Sequence, residues 1–117
     1  MTSRTGLSLF LLVTGLGACA TAAPPVAPEG PAAAIRAAEE VGATRVPEAA
    51  LRLQLAKEQF ERAKAMTSSD DEPAASRLLM RSQADAELAL ALARSTAAEA
   101  AAQKATDEAK SIQGTVR

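Results

Sequence analysis

Apolar residues along the chain fall into five stretches with different patterns. From Leu7 to Leu16 they form a nearly unbroken run of ten. From Ala20 to Gly30 there is no period, only Ala and Pro with Val26 between them. Ile35, Ala38 and Val41 then recur three apart, so they share one side of a short helix. Leu53, Ala56, Phe60 and Ala63 recur at three and four, with Ala49 one turn earlier, and Leu51 and Leu55 widen the stripe. Arg52, Lys57, Glu58, Glu61, Arg62 and Lys64 supply the wet side, and Glu58 and Arg62 stand four apart in the favourable order. Beyond residue 73 the large apolar groups Leu78, Leu79, Leu88, Leu90 and Leu92 all precede Arg94; after it the pattern fades into Ala with Thr, Glu, Gln and Lys.

Punctuation turns these stripes into three helices. The first is expected over about 31–41, because Pro31 suits the first helical position and Gly42 the stop. The second is expected over about 47–66, opened by Pro47. Residues 67–72 form a turn. Ser69 and Glu72 have capping-box spacing, but Pro73 disfavours helical geometry at Glu72. The third helix is therefore expected over about 73–113, with the acids of the turn beside its positive end and Gly114 as its stop. The expected fold class is all-α: an Ala-rich antiparallel helical hairpin of short helix, helix and long helix with coiled-coil-like packing. At 1.5 Å per residue the third helix spans about 60 Å. The first two, laid end to end with a kink near Gly42 and Pro47, would run antiparallel to it.

Composition narrows what such a rod can do. Thirty of the 117 residues are Ala. Ala is the best helix former but buries little area, so stability must come from long, close helix contacts. His, Tyr and Trp are absent. The commonest general base and metal ligand is therefore missing, and no Gly-rich phosphate loop follows a strand. Asp85 and Glu87 are two apart, so on a helix they point about 200° from each other and cannot share a substrate. The pairs Glu39-Glu40, Asp70-Asp71 and Asp107-Glu108 are adjacent and read as solvated charge. No catalytic, cofactor-binding or metal-ligating residue is proposed, and catalysis is not expected. Basic and acidic side chains are interleaved without an aromatic platform, so nucleic-acid binding is not expected either.

Asp85 lies seven after Leu78 and seven before Leu92, which turns it toward the inner face. Two readings stand: an edge position reaching water or pairing with an Arg such as Arg81, four residues before it, or a buried polar contact that fixes helix register.

The N-terminal pattern gives an address. Arg4 precedes the apolar run, and the run closes on Leu16-Gly17-Ala18-Cys19, which contains the only Cys of the chain. A positive start, a short apolar run and small residues at a cut define a secretory signal. The site resembles the lipobox of bacterial lipoproteins, with Gly17 where Ala or Ser is commoner. The resemblance implies cleavage before Cys19 and acylation of its thiol. Competing readings are an uncleaved anchor and a buried core cysteine. The run is about half the ~20 residues that a spanning helix needs, and Pro24, Pro25, Pro28 and Pro31 are wrong for a core helix. The expected organisation is a signal peptide at 1–18, a lipidated N-terminus and Pro/Ala-rich tether at 19–30, a helical domain at 31–113 and a short end at 114–117. Of the basic side chains only Arg4 lies in the leader, so twelve basic face fourteen acidic groups in the mature part, close to neutral.

The segment Ala34 to Ala93 resembles the domain of unknown function 4398 family of small bacterial envelope lipoproteins. The resemblance rests on Glu39-Glu40-Val41-Gly42-Ala43, Val46-Pro47-Glu48, Ala56-Lys57-Glu58, Ala63-Lys64-Ala65 and Ser82-Gln83-Ala84-Asp85-Ala86-Glu87-Leu88-Ala89. It implies a helical envelope protein and brings no catalytic residues. The expected function is a non-enzymatic structural or adaptor lipoprotein. It would be held to a membrane by N-terminal lipid and would contact another envelope protein through the helix after Arg94. A self-assembling coiled coil and a cell-wall-associated binding module are the alternatives. The C-terminal Gly114-Thr115-Val116-Arg117 lacks the terminal Lys that attaches the major murein lipoprotein to peptidoglycan. Ala20 after Cys19 does not resemble an inner-membrane retention signal, so the outer membrane, facing the periplasm, is the expected location in a two-membrane host.

Overall fold

A computed structural model describes residues 26–67 and 71–115. They form three helices, α1 (Glu29–Glu40), α2 (Pro47–Thr67) and α3 (Glu72–Thr115), and a single 3-10 turn at Ala43–Arg45. The fold is all-α, with no strand among the described residues, and α2 and α3 form an antiparallel hairpin.

Each boundary has a local cause. Gly42 sits at φ 82°, in the left-handed region that an L side chain rarely adopts, and its N–H returns to the Glu39 carbonyl at 2.9 Å. That stops α1 and reverses the chain. Val46 is extended at φ −106°, ψ 113°, as the residue before a proline should be. Pro47 then opens α2, and the Ala50 N–H reaches back to the Val46 carbonyl at 2.8 Å. Asp71 starts α3: its carboxylate accepts from the Ala74 N–H at 3.2 Å and its carbonyl from the Ala75 N–H at 3.1 Å. The cap is thus Asp71, and the helix opens one residue before Pro73; Ser69 of the expected pair lies outside the described residues. Gly114 does not stop α3, which continues to Thr115.

The layout differs from the sequence expectation in one respect. α1 does not extend α2 end to end. The Val26 N–H donates to Ser76 Oγ at 3.2 Å, and Gly30 lies against the Gln83 side chain, so α1 climbs α3 in the same sense. α2 descends: Ala56 meets Ser82, and Arg52 meets Asp85. The first half of α3 therefore has two neighbours, α1 parallel and α2 antiparallel. The tight reversal at Gly42 is what folds α1 back.

The core lies along this first half. α3 contributes Ala75, Leu79, Ser82, Ala86, Ala89 and Ala93, alternating four and three residues apart. α2 contributes Ala49, Leu53, Ala56 and Ala63, and α1 contributes Ile35 and Ala38. Such alternation is the seam of a coiled coil. Of the α3 leucines, Leu79 is buried, Leu78, Leu90 and Leu92 are half-buried, the last two packed against the core, and Leu88 is exposed. Leu51 on α2 is also exposed, and Leu55 is half-buried. Small side chains over most of the seam, with Leu53 and Leu79 as its large residues, let α2 and α3 approach until a hydroxyl on one reaches a carbonyl on the other, and a Leu at the Ser82 position would hold them apart. A Lys57–Glu39 ion pair ties α2 to α1 at the surface.

Candidate functional site

The most enclosed polar group on the α2–α3 seam that carries charge is Asp85. Its carboxylate accepts from Arg52 Nη1 at 3.3 Å and from Gln59 Nε2 at 2.9 Å. Arg52 and Gln59 are seven apart, two turns on one face of α2, so both reach the same point on α3. The Asp85 side chain retains 15% exposure and that of Arg52 retains 40%, so the pair lies at the rim of the seam. Gln59 Oε1 is buried and, among the described residues, has no hydrogen-bond partner. The arrangement is a polar clamp. It joins two helices at one register, and no second acid or nucleophile adjoins it. Arg81, the partner expected from sequence, is not used. The spacing of seven between Arg52 and Gln59 was the available signal for the true partners, visible only once α2 is paired with α3.

Two shallow grooves among the described residues flank the bundle. One, of about 240 Å³, is lined by Ala32, Ile35, Arg36, Lys57, Phe60 and Glu61. The other, of about 300 Å³, is lined by Arg62, Met66, Ala74, Arg77, Leu78 and Arg81. Among the described residues no three His, Cys, Asp or Glu side chains could hold a metal ion. No helix of the described residues is long and apolar enough to cross a membrane. Leu16, Gly17, Ala18 and Cys19, the expected processing and lipid-attachment residues, lie outside the described residues.

The second half of α3 has no neighbour among the described residues. Every residue from Arg94 to Thr115 is exposed, over roughly 33 Å of helix. Ala98, Ala101, Ala102, Ala105, Ala109 and Ile112 fall within one arc of about 100°. Glu99, Gln103, Thr106 and Lys110 fall on the other side. The polar groups make local contacts: Gln103 donates to Asp107 at 3.0 Å, Ser95 to Glu99 at 3.1 Å, and Lys104 lies 3.9 Å from Glu108. The apolar arc does not continue the core seam. That seam would pass through Thr96, Gln103, Asp107 and Lys110.

The described residues thus form a small helical bundle with a rim clamp and a long bare extension of its last helix. Residues 32–105 match the family model described as "Domain of unknown function (DUF4398)", and the chain belongs to that family. The match takes in α1, α2, the core half of α3 and the first part of the bare extension. No curated protein and no solved structure matches the chain.

Proposed function

We propose that this chain is a bacterial envelope lipoprotein, anchored through lipid on Cys19, that acts as a non-enzymatic adaptor. Its docking element is α3 beyond Ala93, offered to another envelope protein. The observation that carries this reading is the run Arg94–Thr115, helical yet exposed throughout. Most helical stability in proteins comes from packing an apolar face rather than from propensity, and helices with one apolar face commonly dock in grooves or coil with partners. The leader pattern, with Arg4, the apolar run and Leu16-Gly17-Ala18-Cys19, supports an extracytoplasmic address. In a two-membrane host, Ala20 after Cys19 supports an outer-membrane position facing the periplasm.

Two experiments test the reading. Cys19→Ala should block maturation and release the protein from the membrane fraction; normal processing and retention of this variant would remove the anchor. Photo-crosslinkers at Ala101 and Ala105 should trap an envelope protein in cells, whereas a chain that crosslinks to nothing would remove the adaptor role. Self-assembly through the same arc is the second reading, favoured by the coiled-coil spacing already present in the α2–α3 seam. Sedimentation of the acyl-free protein separates the two, because a monomer at micromolar concentration excludes self-assembly.

A further inference from the structure

The groove between α2 and α3 on the turn side of the bundle gathers three guanidinium groups. Arg62 comes from α2, and Arg77 and Arg81, four apart, come from α3. All three are exposed, and among the described residues none meets a carboxylate or another hydrogen-bond partner. Of the acids nearby among the described residues, Asp71 caps Ala74, Glu61 pairs with Lys64 and Glu58 accepts from Gln54, while Glu72 is exposed at the start of α3 and pairs with none of the three arginines. Met66, Ala74 and Leu78, each half-buried, complete the groove with an apolar floor. Three unpaired cations over apolar surface match a phosphate ester attached to hydrocarbon, and guanidinium suits phosphate geometrically as well as electrostatically.

Its position selects the source of that phosphate. The Val26 N–H is fixed to Ser76, the residue before Arg77. The chain therefore enters the bundle at the end where the groove lies, not at the Gly42 end. Seven residues separate Cys19 from Val26, a reach of at most about 25 Å. A lipid on Cys19 would hold this end beside the bilayer while Arg94–Thr115 points away from it.

We infer that the Arg62, Arg77 and Arg81 groove docks on the surface of an anionic bilayer, taking lipid phosphates on its arginines and setting the bundle against the membrane. The inference rests on the anchor reading for proximity, but its test does not require the anchor. Full-length protein carrying Cys19→Ser is sedimented with vesicles of phosphatidylcholine and with vesicles containing one-third phosphatidylglycerol. Residues 1–18 are common to all variants, so the ratio of binding to the two vesicle types isolates the anionic contribution.

A cation near an anionic surface contributes roughly fivefold to binding. The anionic gain should therefore fall at least tenfold in R62Q/R77Q/R81Q and stepwise in R77Q and R81Q. It should persist in R94Q/K104Q/K110Q, which removes equal charge from the distal helix. An undiminished gain in the groove variant, or an equal loss in the distal variant, overturns the inference. Competition by dissolved glycerol 3-phosphate at concentrations far below those of salt also overturns it, assigning the groove to a free phosphate ester. These side chains are exposed, so helicity by circular dichroism should match across the set. Membrane retention of Cys19→Ala would refute the anchor and leave the vesicle ratios as they are.

Discussion

Ser82 Oγ donates to the Ala56 carbonyl at 2.7 Å, across the centre of the α2–α3 seam, and Ser82 is fully buried. A side chain of two heavy atoms can reach a neighbouring helix's backbone only when the helices are close. Ala49, Ala56, Ala63, Ala86 and Ala89, all essentially inaccessible, make that closeness possible. Ser82→Ala keeps the fit and loses one hydrogen bond, while the Ala56 carbonyl keeps its place in its own helix ladder. The cost should be about 1 kcal/mol. Ser82→Leu must part the helices and should cost about 3 kcal/mol or more. Urea unfolding followed by circular dichroism checks the order, and equal midpoints for the two variants would contradict the close-approach account.

Asp85 gives a second, independent handle on the same interface. Asp85→Leu leaves the Gln59 amide with neither of its polar atoms matched, because Oε1 already lacks a partner. A buried polar group left unpaired costs roughly 1–3 kcal/mol, so the single variant should be destabilised by about 2 kcal/mol. The double variant Asp85→Leu/Gln59→Leu should recover about half of that or more, since both members of the pair are then apolar. Unchanged stability and unchanged oligomeric state in Asp85→Leu would show that the clamp does not set register.

What could be read from the sequence follows from how local each signal is. Gly42, Pro47 and Pro73 act within a few residues of themselves, so the helices lie close to where these residues place them. Asp71 was harder, because Ser69, Asp70, Asp71 and Glu72 are all competent at a helix start. The seam on α3 was hardest. Side-chain size singles out Leu78, Leu79, Leu88, Leu90 and Leu92, whereas the interface keeps only Leu79 of these and is otherwise built from Ala and Ser at the alternating spacing. In an Ala-rich helix nearly every face contains Ala, so periodicity alone cannot tell a close contact from a bare surface. The side-by-side position of α1 and the Arg52–Asp85–Gln59 clamp depend on pairing across the fold, which a single sequence does not encode locally.

Gly42 carries the reversal that lays α1 along α3. A Cβ there would meet the Arg45 guanidinium and would stand on backbone at φ 82°. The arginine can move aside, so the cost should be mainly conformational: about 1–2 kcal/mol for Gly42→Ala. Gly42→Asn should cost less, because Asn tolerates the left-handed region better. Thermal melts of the two variants check the ranking. If Gly42→Ala matched the parent, the left-handed reversal would not be what holds α1 in place.

The bare half of α3 should be thermodynamically separable from the core. Among the described residues, all buried ones lie at or before Ala93, and residues 94–115 join the bundle only through continuity of the helix. Ending the chain after Thr96 should lower the helical signal in proportion to the residues lost. The unfolding midpoint should move by less than about 0.5 kcal/mol, as for surface changes away from packed features. Amide hydrogens of Ala98 to Lys110 should exchange far faster than those of Leu79 to Ala89, because opening them exposes no packed surface. If truncation instead halved stability, or if the distal amides were protected like the core, that face would already be covered in the isolated protein. A partner-dependent rise in protection confined to 97–112 is the outcome expected of a docking helix.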